Sequence, residues 1–205
     1  LCDRRQRQMC IRDSDLTDEE RNEYLDTIIT ESERLAELST NILNLTKIEQ
    51  QTILTDKKQF NVSEQIRLVI AMLSGKWQEK RLEFDFDCDE IYLTGNEEML
   101  KQVWINLLDN AIKFSPISGT ITIKLHRTIK SVIITVSNEG NALTEESARH
   151  IFDKFYQADK SHAASGYGLG LAIAKQIIEL HDGTITAKGI EDSKIVFHIE
   201  IPSIA

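Results

Sequence analysis

Apolar positions along the chain change period several times, and each change marks an element. From Thr17 to about Gln50 they follow a helical repeat without Gly or Pro, with Ile28, Leu35, Leu38, Ile42 and Leu45 spaced 7, 3, 4 and 3 residues apart. Leu25 and Ile29 widen this heptad-like stripe. Asp15 or Thr17, with acidic residues behind it, is a suitable N-cap. A helix of this length cannot bury such a stripe alone, and no other segment matches it in length. The pattern therefore predicts half of a helical hairpin, or a homodimeric bundle.

Beyond a polar connection at 51–58 the periods mix. Residues 62–76 read as helix, LEFDFDC (82–88) alternates as a half-buried strand, and 96–114 returns to helix. GTITIKLHRTI (119–129) and KSVIITVS (130–137) predict an antiparallel pair, 144–151 a helix, and LAIAKQIIELH (171–181) another. GTITAKG (183–189) and SKIVFHIEI (193–201) close the chain as a second pair. Helices and hairpins are mixed rather than strictly alternating. The expected class is α+β: a long N-terminal helix, then a sandwich whose mixed sheet is covered by helices on one face.

Composition narrows the function classes. The chain has 205 residues, enough for one domain plus an appended element or for two small domains. A net charge of −9 argues against nucleic acid as a partner and against direct contact with an anionic membrane. The apolar runs are far shorter than the ~20 residues a spanning helix needs. Cys2, Cys10 and Cys88 form no close pair, which fits a reducing, cytoplasmic setting. The opening stretch, residues 1–14, is basic and aperiodic, and reads as a sequence artefact or a disordered tail.

Two stretches carry candidate chemistry. In NLLDNAIKFS (106–115), Asn106, Asn110 and Lys113 fall within about a 60° arc of one helix, although each Asn costs roughly 0.5 kcal/mol against Ala there. With Gln102 and Asp109 nearby, a plain solvated face is the competing reading, beside the apolar stripe of Leu100, Val103, Trp104, Leu107 and Ala111. In SGYGLGLAIAKQIIELH (165–181), Gly166, Gly168 and Gly170 run into an apolar helix, where free N–H groups and the helix dipole suit a phosphate. A flexible loop is the alternative for the glycines alone. Between these stretches, Phe152, Phe155 and Tyr156 precede an aperiodic run that reads either as a surface loop beside core aromatics or as a lid on an aromatic anchor.

The order NLLDNAIKF, SNEGN, IFDKFYQAD, GYGLGLAIA resembles the N, first-glycine, F and second-glycine boxes of the catalytic ATP-binding domain of two-component sensor histidine kinases. The resemblance covers about residues 55–202. It implies the Bergerat sandwich shared with gyrase-type and mismatch-repair ATPases and a heat-shock chaperone. Residues 15–52 are then the second helix of the dimerisation and phosphotransfer hairpin, and 55–203 the catalytic domain. By the resemblance, Asn110 gives an amide oxygen to Mg²⁺, Lys113 offsets the phosphate charge of ATP, and Phe114 lies against adenine. Asn106 stands where ATP-hydrolysing relatives have a water-activating glutamate, a task an amide cannot perform. Asn138 and Gly140 belong to the adenine side, Phe155 and Tyr156 to the lid, and Gly166, Gly168, Leu169 and Gly170 to the phosphate side. The implied partners are a second copy, through the hairpin, and a cognate response regulator. The implied location is the cytoplasmic side of an inner-membrane-anchored bacterial protein.

Several positions depart from the family pattern. Asn138 replaces an aspartate that accepts from the adenine amino group, so weaker nucleotide binding is expected. Ala142 replaces a second glycine, and Gln157 an arginine that helps hold the transferring phosphate. None of His126, His150, His162, His181 or His198 has the neighbours of the family's acceptor histidine, which is expected to lie upstream; His181, at a helix end, is placed as a cation would be. Two alternatives remain: a partner-switching serine kinase of the same superfamily, which lacks the hairpin, and a non-enzymatic nucleotide-dependent interaction module.

Overall fold

The computed structural model describes residues 17–51, 53–86, 88–140, 143–157, 167–190 and 194–203. Helix α1 spans Asp18–Glu49. Its start is a reciprocal capping box: the Thr17 hydroxyl accepts from the Glu20 N–H at 3.3 Å, and the Glu20 carboxylate accepts from the Thr17 N–H at 3.0 Å. Asp15, the other cap candidate, lies outside the described residues. The chain divides into two compact units between Leu43 and Asn44. In the first, Leu25, Ile28, Ile29, Leu35 and Ile42 are exposed, so most of the stripe is left uncovered among the described residues. In the second, Leu45 and Ile48 from the last turns of α1 are buried.

The second unit is built on a five-stranded sheet of β2 (Glu83–Phe86), β4 (Thr120–Arg127), β5 (Ser131–Glu139), β6 (Thr184–Ile190) and β7 (Lys194–Pro202), in the order β2-β4-β5-β7-β6. All neighbours are antiparallel except β2 with β4. Period-two alternation sends Ile121 and Ile123, then Val132, Ile134 and Val136, then Phe197, Ile199 and Ile201 to one buried face. Helices α4 (Glu97–Phe114) and α6 (Gly170–Leu180) pack on the sheet, and α2 (Val62–Met72) packs against α4, a helical cover of the kind the mixed pattern predicts. Both predicted antiparallel pairs form. Helix α5 (Glu145–His150) starts from Thr144, whose hydroxyl accepts from the Ser147 N–H.

Two expectations need correction. The helix read over 62–76 breaks at Leu73, and a separate short helix, α3 (Ser74–Glu79), follows, since Ser74 and Gly75 are poor formers and the Trp77 indole turns back to donate to the Ile70 carbonyl at 2.9 Å. The connection read over 51–58 ends one residue early: Lys58 opens a strand that the pattern did not announce, β1 (Lys58–Asn61), which pairs antiparallel with β3 (Tyr92–Gly95) in a separate two-stranded sheet. Four residues are too few to declare a period.

His181, placed by sequence as a cation at a helix end, is neutral. It is buried, and burial is the main influence holding its pKa below the ordinary 6.5. Its Nδ1 sits 2.7 Å from the Ile177 carbonyl, and its Nε2 accepts from the Asn96 N–H at 3.0 Å. Asn96 in turn caps α4 through its side-chain oxygen. The histidine thus locks the end of α6 to the start of α4, and protonating Nε2 removes the acceptor. Because the folded pKa is the lower one, the unfolded chain binds more protons as pH falls through 6.5 and below. The urea midpoint should therefore drop between about pH 8 and pH 5, and His181→Gln should flatten that dependence. A parent midpoint that is level across this range contradicts the assignment.

Candidate functional site

Helix α4 carries the first set of candidates. Leu100, Val103, Trp104, Leu107, Leu108, Ala111 and Ile112 are buried along one side, so Asn106, Asn110 and Lys113 are left half-buried on the other. The Trp104 indole donates to Gln65 Oε1 at 2.7 Å, and Gln65 Nε2 donates to the Glu97 carbonyl at 2.8 Å, which ties α4 to α2. The two asparagines then differ. Asn106 is occupied at both ends: its Oδ1 accepts from Gln102 Nε2 at 3.0 Å and its Nδ2 donates to the Gly170 carbonyl at 2.9 Å. Asn110 makes no side-chain hydrogen bond to another described residue. The Lys113 ammonium lies 5.0 Å from the centroid of the Phe114 ring, which is 41% exposed and so presents an aromatic face at the end of the helix.

The other candidates converge on the ends of α4 and α6. On β5, Asn138 continues the inward series of Val132, Ile134 and Val136 and is 2% exposed. Its Nδ2 donates to the Glu139 carbonyl at 2.9 Å. No buried side-chain nitrogen or oxygen among the described residues lacks a partner, so the unpaired Asn138 Oδ1 keeps contact with solvent. Gly140 passes so close to α4 that a Cβ there would lie 2.9 Å from the Phe114 carbonyl oxygen. Asn138, Gly140 and Phe114 therefore form one corner.

A second corner joins the aromatic segment to the glycines. Phe155 N–H donates to the Gly168 carbonyl at 3.0 Å, and both residues have left-handed backbone, with φ of 63° and 68°. The sequence left the aromatics undecided between core and anchor, and they divide. Phe152 packs edge-on against Phe197 with ring centroids 6.3 Å apart, whereas Phe155 is 61% exposed. Tyr156 is committed to α5, its hydroxyl donating to Ser147 Oγ at 3.2 Å and its ring lying beside His150. Gly170 begins α6 and, through Asn106, is fastened to α4. Leu169, its N-cap, is buried and makes no side-chain cap, so the first amides of α6 are not occupied by a capping side chain. Gly166 lies outside the described residues, as do Asn141 and Ala142.

One residue at the site has no sequence signal. Lys80, after α3, donates from Nζ to the carbonyls of Ile112 at 3.0 Å, Lys113 at 2.6 Å and Ser115 at 3.0 Å. A lysine between a helix and a strand has no periodic context, and its partners are more than 30 positions away. Asn138 had a signal: the alternation VIITVSN puts it in phase with the core.

Residues 95–204 match the family described as histidine kinase-, DNA gyrase B- and HSP90-like ATPases. The chain belongs to that family. Every candidate site residue from Asn106 to Gly170 falls inside the match. Within the family, the chain is homologous to sensor histidine kinases. It is 32% identical over 185 residues to the sensor protein DltS of Streptococcus agalactiae, covering 88% of this chain and 46% of DltS. The catalytic domain of the histidine kinase ThkA superimposes with a TM-score of 0.66 at 31% identity, over 73% of this chain and 97% of that one. ThkA in complex with the response regulator protein TrrA gives a TM-score of 0.77 at 29% identity, over 96% of this chain and 55% of that one. The chain spans less than half the length of the curated relatives it matches. No helix among the described residues is long and apolar enough to cross a membrane.

The left-handed junction is testable. At Gly168 a Cβ would meet the Tyr156 carbonyl oxygen at 2.5 Å, on a backbone that already disfavours side chains. Gly168→Ala should lower stability by at least about 1–2 kcal/mol from backbone strain alone, read as a lower denaturation midpoint. An unchanged midpoint means that the junction is not held as described.

Proposed function

We propose that this chain is the ATP-binding catalytic part of a sensor histidine kinase, which transfers the γ-phosphoryl group of ATP to a histidine on another segment for relay to a response regulator. The observation that carries this reading is the convergence at the C-terminal turn of α4. The turn bearing Asn110, Lys113 and Phe114 meets the Asn138–Gly140 strand end, while α6 begins beside Asn106 with its first amides uncapped.

Each side chain then has a role. Asn138 Oδ1 accepts from the adenine amino group while its Nδ2 stays on the Glu139 carbonyl. Phe114 lies against the adenine ring, and Lys113 offsets phosphate charge. The N–H groups of Gly168, Leu169 and Gly170 and the positive end of α6 hold phosphate oxygens. Phe155 and Tyr156 anchor the run that follows as a lid, and Gly166 belongs with the phosphate-side glycines. Asn106 holds α6 against α4 and, being an amide, activates no water, which supports transfer to a protein group over hydrolysis. In the transfer step the bond between Pγ and the ADP oxygen breaks, and one forms to the acceptor imidazole nitrogen. This chemistry asks mainly for positioning and charge neutralisation.

Mg²⁺ fits the donor set. Among the described residues, no group of three or more His, Cys, Asp or Glu side chains could hold a metal ion. The uncommitted amide oxygen of Asn110 would be the protein's share of the ligands, a single hard oxygen donor that suits Mg²⁺ better than ions that need all-protein cages. When bound, with Asn110 as its protein ligand, the ion would neutralise phosphate charge.

On this reading residues 15–52 are the second helix of the hairpin and 55–203 the catalytic domain. The exposed seam of α1 supports homodimerisation, and the ThkA–TrrA complex supports a response regulator as partner. The setting is the cytoplasmic side of an inner-membrane-anchored bacterial protein.

Calorimetry should show Mg²⁺-ATP binding in the micromolar to millimolar range, roughly −8 to −4 kcal/mol. GTP, which presents an oxygen where adenine has its amino group, should bind far more weakly, and Asn110→Ala should abolish the Mg²⁺-dependent part of ATP affinity with the circular dichroism unchanged. Equal affinities for ATP and GTP would replace the kinase by an interaction module. Phosphotransfer is a separate expectation. With radiolabelled ATP the chain alone should acquire no stable label at its five histidines, but joined to a helix carrying an acceptor histidine it should form an acid-labile phosphohistidine. Acid-stable label on a serine would favour the partner-switching serine kinase.

A further inference from the structure

We infer that Lys80 is a positioning residue for the nucleotide site, acting through the last turn of α4. This rests on the reading of that turn as part of a nucleotide site. A helix ends with its final carbonyls unpaired, carrying about half a negative charge between them. In α4 those carbonyls belong to the turn that bears Lys113 and Phe114, and Asn110 stands just before it. A triphosphate bound there would face a partial charge of its own sign, and a fraying turn would lose the mutual orientation of three ligand-facing side chains.

Lys80 answers both problems with one group. Its ammonium is half-buried and donates to the carbonyls of Ile112, Lys113 and Ser115, using all three of its N–H bonds on the helix end. Its own backbone is held as well, since the Lys80 carbonyl accepts from the Ser118 N–H at 2.9 Å. Lys80 therefore staples the α4 terminus and the following loop from both ends. The effect reaches the adenine corner because Gly140 packs against the Phe114 carbonyl, so a shift of that carbonyl moves the contact beside Asn138. Lys76, four residues earlier and within α3, is a natural control: it pairs with the Asp109 carboxylate and makes no hydrogen bond to a carbonyl of the terminus.

The experiment measures Mg²⁺-ATP affinity and site-resolved amide exchange in the parent, Lys80→Met, Lys80→Arg and Lys76→Met. Lys80→Met should weaken Mg²⁺-ATP by about tenfold, the scale of one charge-assisted hydrogen bond, and speed exchange over residues 114–119. Exchange in the sheet should be unchanged. Lys80→Arg, which restores donors and charge, should recover most of the affinity, and Lys76→Met should bind like the parent. In an Asn110→Ala background the Lys80→Met loss should shrink, because the residue acts through that turn; a merely structural lysine would give additive losses. If Lys80→Met does not fold, Lys80→Gln, with two donors and no charge, reads the same quantities. Unchanged affinity in either neutral variant, failure of Lys80→Arg to recover it, or strictly additive losses would overturn the inference while leaving the nucleotide site standing. Absence of Mg²⁺-ATP binding by the parent would overturn both.

Discussion

Burial of one side of α4 is the constraint from which the rest of the second unit follows. Leu100, Val103, Trp104 and Leu107 are each 1% exposed or less, so the helix cannot rotate without drawing large apolar groups into water. With rotation fixed, the positions off that stripe are fixed too, and Asn106, Asn110 and Lys113 have one direction in which to point. Their poor fit to a helix interior is tolerable because tertiary packing, not local propensity, holds the helix. The polar stripe is thus aimed by an apolar one.

The ends of α4 are held separately from its middle. His181 secures the start through Asn96, and Lys80 gathers the carbonyls at the finish. Asn106 fixes the neighbouring helix by its first residue, so the start of α6 is registered against α4 at the turn before Asn110. Two helix termini of opposite polarity are thereby joined to one apolar core. The negative one is screened by a lysine, and the positive one is left without a capping side chain. That asymmetry favours an anion beside α6 and would not arise if both ends were treated alike.

Much of this was legible in the sequence where the signal was long or repeated. Helix α1, helix α4 and the two antiparallel pairs carry periods over seven residues or more, and the ordered boxes pointed to the corners around Phe114 and Gly168. What stayed hidden was short or distant. Strands β1 and β3 have four residues each, and the parallel pairing of β2 with β4 joins segments with a helix between them. The Lys80 clamp and the neutral state of His181 depend on groups tens of residues away, and a sequence does not announce which lysine will find unpaired carbonyls or which histidine will be buried. The aromatics of IFDKFYQAD could not be sorted by composition, since what accompanies the difference between half-buried Phe152, packed on Phe197, and exposed Phe155 is a left-handed backbone at Phe155.

Asn138 shows how a departure from a family pattern can be consistent with its surroundings. Judged on ligand contact alone, exchanging a carboxylate for an amide weakens the acceptor by removing its charge. The structure adds a second consideration, because the side chain sits at an inward position of β5, paired in register with Ile121 and Ile195, and is almost fully buried. A carboxylate there would bring a charge into apolar surroundings and face the Glu139 carbonyl without a hydrogen to offer it, a cost of about 1–3 kcal/mol for the group left unpaired. The amide divides the work: Nδ2 satisfies the neighbouring carbonyl, and Oδ1 is left to accept from outside. On the proposed reading, binding strength is exchanged for a corner that is stable before any ligand arrives, and the same amide chemistry that holds Asn106 between Gln102 and Gly170 recurs here on the sheet.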